Sequence, residues 1–126
     1  VNGFIQIAGV DDPTGKHFGL FLGPSEKTLL AGLSRECFTL LLKHPPVVDR
    51  EALGLFDLQL SGHTHKGQIF PFTYIVKLFF PHDAGLVHLP NHSILYVSRG
   101  SGTWGPPFRI FAPPEVTIIT VAHEER

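Results

Sequence analysis

Methionine is missing from this 126-residue sequence, and cysteine, tryptophan and tyrosine are scarce, at one, one and two residues. The single cysteine, Cys37, cannot close an internal disulfide. Its place in the apolar run from Cys37 to Leu42 reads as a buried strand carrying an inert core thiol. Charge of one sign is also lacking: ten Lys plus Arg stand against eleven Asp plus Glu, a formal net charge of -1. No broad basic surface is therefore advertised for nucleic acid, and polymeric phosphodiesters are not favoured substrates. No run reaches the about 18 apolar residues that a membrane-crossing helix needs, and the opening VNGFIQIAGVDD lacks the charged start and cleavage pattern of a signal peptide. Val1 is no initiator methionine, so the expectation is a fragment, or a processed product, of something longer.

What is present suffices for a core. Hydrophobic residues make up 43% of the chain, and its length fits one domain. Residues 3–10 read as a strand before an Asp-Asp-Pro-Thr-Gly turn; Asp11 and Asp12 could be taken for metal ligands, but two acids before Pro13 and Gly15 read as ordinary turn formers. Ser25 is placed to cap a short helix over EKTLLAGL, with Leu29, Leu30 and Leu33 on one face. CFTLLLK follows as a strand buried on both sides, ended by His44-Pro45-Pro46 because proline cannot continue a ladder. A second short helix over 49–56 and a brief strand over 57–60 lead into SGHTHKGQ. Residues 70–80, bounded by Pro71 and Pro81, read as a partly helical insertion. SILYVS and EVTIITVA are two further strands, joined by a glycine-rich and proline-rich turn. No repeat and no linker divides this α/β pattern.

The chemistry concentrates in three of the eight histidines. In Gly62-His63-Thr64-His65, Gly62 and Gly67 free the backbone to turn sharply and aim both rings at one region. Neutral imidazole ligates zinc, iron and manganese, and a His-x-His pair can serve one metal or two neighbouring ones. His44 also follows an apolar strand, and ligand sites in α/β sheets form at the carboxyl ends of strands. The five others, at 17, 82, 88, 92 and 123, lack such a setting.

LLKHPP, DLQLSGHTHKGQIFP and YVSRGSGTWGPPFRIFAPPEVTIITV, with the opening IAGVDDP, together resemble the C-terminal part of calcineurin-like metallophosphoesterases, most closely of the bacterial YkuE and YaeI type. The resemblance implies part of a two-sheet sandwich flanked by helices (αββα), with 1–126 the C-terminal portion of one such domain and its N-terminal half missing. It implies two divalent metals, drawn from Mn, Zn, Fe or Ni, whose bridging hydroxide attacks the phosphorus of a phosphoester or pyrophosphate. By the same likeness His44 matches the family's lone histidine and His63 the first of its Gly-His-x-His pair, both on one metal, while His65 serves the other. The family's Asp-x-His, Gly-Asp-x-x-Asp and Gly-Asn-His-(Glu/Asp) motifs are expected before Val1, and with them the bridging aspartate and the acid histidine. No catalytic residue beyond the ligands is therefore assigned here. The expectation for the isolated chain is inactivity and at most one metal, held by the three imidazoles.

Around the histidines, Lys66 stands where the subfamily usually has glycine, and either touches a substrate phosphate or stays solvated. Gln68 and Arg99 match common family positions, and Arg99 either clamps a phosphate or braces its loop. The aromatic stretch 70–80 either packs under the sheet or forms an apolar patch that dips into a membrane surface or admits an acyl chain. Similar enzymes often act at the inner membrane, some on lipid-linked pyrophosphates, so the resemblance implies a cytoplasmic protein or one peripheral to the inner membrane. Two other readings are a non-catalytic metal-binding module and a dimer formed through exposed strand edges.

Overall fold

Short runs of leucine and β-branched residues, each ended by glycine, proline or a polar pair, become the strands. A computed structural model describes residues 5–122. Its five strands are β1 (Ile5–Gly9), β2 (Phe38–Leu42), β3 (Leu58–Ser61), β4 (Gly85–His88) and β5 (Ile94–Val97), in the order β1-β2-β3-β5-β4. β1, β2, β3 and β5 run parallel, and β4 pairs antiparallel at the edge. Four carboxyl ends thus reach one rim. Gly9, Leu42, Leu60 and Tyr96 form a single row across it.

One face of the sheet carries the core. Ser25 accepts a hydrogen bond from the Thr28 amide and starts α1 (Glu26–Ala31), which Gly32 ends. Leu30 from this helix is fully buried against Ala8, Leu41, Ala52 and Phe56. Lys43, just past β2, reaches back to pair with Glu26 in the helix's first turn, and both side chains are almost wholly buried.

The opposite face is largely open. Ile5, Ile7, Leu42 and Leu86 lie on it by register, with Ile7 65% exposed. β2 is therefore not buried on both sides as its composition suggests: only Thr39 and Leu41 are enclosed, while the alternate residues face the uncovered side. The second short helix contracts to a 3-10 turn, Arg50–Ala52, because the Asp49 side chain caps the Glu51 amide and Gly54, at φ 79°, reverses the chain soon after. β4 has no counterpart in the sequence reading, its four residues GLVH being too few to show a period. EVTIITVA forms no strand. Its Glu115 is tied to the Tyr96 hydroxyl and to the Gly100 carbonyl, but no strand among the described residues pairs with it, and Ile118 is 91% exposed. The aromatic stretch does become a helix, α2 (Phe72–Phe79).

Removing one partner of the buried Lys43 and Glu26 pair leaves the other charge without compensation. Lys43→Ala is expected to cost about 3 kcal/mol in urea unfolding, whereas Lys43→Met combined with Glu26→Leu recovers most of that loss. Equal loss in single and double variants would show that packing, not charge, holds this corner.

Candidate metal centre

The rim residues follow from the register. The pairing continues past the strands, with the Val10 amide bonded to Leu42 O at 3.2 Å and the Gly62 amide to His44 O at 3.0 Å. Asp12, His44 and His63 therefore leave three neighbouring strand ends at nearly the same height. Their ligand atoms all lie within 4.8 Å of one another. The His44 and His63 rings meet edge to face at 5.0 Å, and Phe80 packs against the far side of His63 at 5.2 Å. Asp12 Oδ1 accepts the Thr14 amide at 2.8 Å, which fixes the carboxylate on its turn. Asp11 points elsewhere and accepts the Gly23 amide at 2.9 Å.

His65 is close to this group but turned toward the loop over 99–112. Arg109 organises that loop, donating to the carbonyls of Arg99 (2.9 Å), Gly100 (3.1 Å), Gly102 (3.0 Å) and Ala112 (3.1 Å). Its Nη2 also stands 3.1 Å from His65 Nδ1. A guanidinium only donates, so Nδ1 accepts and the proton of the neutral ring sits on Nε2. Neither nitrogen then offers a free lone pair to a metal while this bond holds.

The turn that carries the pair is strained. His63, His65, Lys66 and Gln68 all have positive φ, at 70°, 48°, 52° and 48°. Side chains on both sides hold it there. Gln68 donates to the carbonyls of Trp104 (2.7 Å) and Pro106 (3.0 Å) and accepts the Trp104 amide (2.5 Å). The Thr64 hydroxyl donates to Asp83 O at 2.7 Å. A Cβ on Gly67 would fall 2.4 Å from the Thr73 Cα, so only glycine lets α2 start so near the histidines. Between α2, this turn and Trp104 opens a cavity of about 660 Å³, lined by the three histidines at one end and by Phe72, Ile75, Val76 and Phe80 along the helix.

This geometry can be set beside known proteins. Neither a family model nor a solved structure matches the chain. Curated relatives do. A metallophosphoesterase of Aquifex aeolicus is 43% identical over 122 residues, covering 96% of this chain and 47% of its own length. One from Campylobacter jejuni is 44% identical over 120 residues, covering 94% of this chain and 32% of its own length. The metallophosphoesterase YkuE of Bacillus subtilis is 35% identical over 122 residues, covering 93% and 40%. Over nearly its whole length the chain is similar to metallophosphoesterases, consistent with a C-terminal portion of a calcineurin-like member. It spans about half, or less, of the length of these relatives.

The donor set suits the divalent metals that the name metallophosphoesterase implies: imidazole nitrogens and a carboxylate oxygen converge. Of the residues proposed from sequence, His44 and His63 are brought together, and His65 lies beside them under Arg109. Lys66 is half-buried, and its ammonium makes no ion pair among the described residues. Arg99 places Nε 2.9 Å from Glu115 Oε2, a contact that braces its loop. His17, His88 and His92 are exposed, and His123 lies outside the described residues. Two residues were missed. Asp12 looked like turn chemistry, and it is, but the same turn delivers it to the rim. Arg109 carried no signal beyond being an arginine in a glycine-rich loop.

Burial pushes His63 below the ordinary imidazole value of 6.5, helped by the neighbouring His44 and opposed by Asp12. Burial likewise lowers His65, reinforced by Arg109. Asp12 is lowered chiefly by its bonds from Thr14. Both rings are thus biased toward the neutral form. A depressed histidine binds its proton less readily folded than unfolded, so the stability it contributes is complete above about pH 6.5 and is lost as pH falls through the folded value. Denaturation midpoints are expected to stay flat from pH 8 to 7 and to fall below, with a shallower fall in His63→Ala; an unchanged slope in that variant would refute the assignment.

Lys66→Gly tests the strain. Relief of a left-handed lysine, less the added chain entropy of glycine, predicts a gain of about 0.5–1 kcal/mol. A lower denaturation midpoint would mean that the lysine side chain makes a compensating contact.

Proposed function

We propose that the protein to which this sequence belongs hydrolyses a phosphoester or pyrophosphate with two divalent metals, and that His44, His63 and His65 are among their ligands. The observation that carries this reading is the convergence of His44 and His63 at adjacent parallel strand ends, in a chain whose relatives are named metallophosphoesterases. When bound, such metals acidify a water and neutralise phosphate oxygens. The chain's own residues do the rest: the strand ends fix two imidazoles, partial desolvation lowers the proton affinity of His63, and Gln68 and Arg109 hold the turn and its loop against each other. His65 serves the second metal once Arg109 yields Nδ1.

The same reading makes 1–126 one portion of a single domain. The open apolar face of the sheet then takes the second sheet of the sandwich, and the bridging aspartate and acid histidine come from outside this chain. The isolated chain is accordingly inactive. The cavity along α2 supports an apolar group on the substrate, such as a lipid, with its phosphate at the histidines. Phe79 and Leu78, 73% and 82% exposed at the end of α2, support contact with a membrane surface. No helix among the described residues is long and apolar enough to cross a membrane.

A non-catalytic metal-binding module is the second reading, favoured by the Asp12, His44 and His63 group being complete within this chain. Metal content and turnover of bis-p-nitrophenyl phosphate separate the two, measured on this chain and on a polypeptide extended upstream. Two metals and turnover in the longer polypeptide alone are expected, with His63→Ala abolishing both. A longer polypeptide that is metal-free and inert would leave the phosphoesterase reading without support. Solution mass of the short chain reports whether its edge strands, β1 and β4, pair between copies instead.

A further inference from the structure

We infer that this chain alone holds one divalent cation through Asp12, His44 and His63, with Asp12 in the place that a third imidazole would otherwise fill. The inference rests on His44 and His63 being metal ligands, as proposed above, and adds a donor from the turn after β1.

Three observations carry it. The ligand atoms of the three residues lie within 4.8 Å of one another. Ligands on a tetrahedral zinc stand about 3.3 Å apart, given bonds of about 2.0–2.1 Å, so modest side-chain rotations close the set. His44 and His63 are exposed and Asp12 half-buried, which leaves room for that movement. Second, the carboxylate is already oriented, because its turn is fixed by the Thr14 amide on Oδ1. Third, His65 is engaged by Arg109 at Nδ1 and carries its proton on Nε2, so it enters a metal shell only if that bond breaks. Asp12 needs no such exchange. Two imidazoles and a carboxylate, with solvent in the fourth position, form a set that zinc accepts, and the carboxylate brings the negative charge that three neutral imidazoles lack.

Zn²⁺ titrated into this chain by calorimetry, with Co²⁺ absorption as a second reading of coordination, tests the assignment. One metal per chain is expected, absent in His44→Ala and His63→Ala. Asp12→Asn is the informative variant, because asparagine caps the following turn as well as aspartate does; binding should weaken about 10- to 100-fold. His65→Ala should change the affinity less than about twofold, well under the effect expected for a bound ligand. The inference is overturned if Asp12→Asn binds like the parent, if His65→Ala weakens binding as much as Asp12→Asn, or if the parent chain binds no zinc. Should the short chain bind none while the upstream-extended polypeptide keeps two metals and turnover, only the Asp12 assignment falls. If the longer polypeptide is also metal-free, the reading of His44 and His63 falls with it.

Discussion

The row formed by Gly9, Leu42, Leu60 and Tyr96 is the constraint on which the rest depends. Parallel pairing fixes the height of each strand end relative to its neighbours, and residues two or three positions further along then arrive at one rim. Asp12, His44, His63 and Arg99 are those residues. A slip of one residue in any pairing would invert that strand's faces, burying Ile7 or Leu42 and exposing Ala8 or Leu41. The core against α1 thus enforces the register that aligns the donors. Stability and site geometry share one cause.

The histidine turn adds a second constraint. Its backbone occupies a region that residues with side chains avoid, and it is held there by bonds from the 99–112 loop, the segment after α2 and the helix itself. Gln68 and Arg109 both bond carbonyls of the same loop. One binds the turn to Trp104 and Pro106, and the other gathers four loop carbonyls while facing His65. The glycine-rich sequence between them is what allows so many carbonyls to face inward.

Much of this was legible in the sequence. Proline after His44 and glycine around His63 and His65 marked strand ends carrying histidines, because those residues terminate ladders for reasons local to themselves. The helix over Phe72–Phe79 and the strands β1, β2, β3 and β5 were legible for the same local reasons. Where the outcome hinged on a partner, the sequence was silent. EVTIITVA has every property of a strand except something to pair with, and CFTLLLK has the composition of a doubly covered strand in a sheet covered on one side. Asp12 is the instructive miss among site residues: aspartate before Pro13 is sufficiently explained by its turn, and only the β1 and β2 register shows that this turn faces two imidazoles.

The Thr73 backbone lies so near Gly67 that a Cβ there would collide with it, which sets the start of α2 against the histidine turn. The helix therefore joins the histidine turn at one end to the exposed Leu78 and Phe79 at the other. If the histidines hold metals as proposed, whatever those two side chains rest against is mechanically joined to the metal rim.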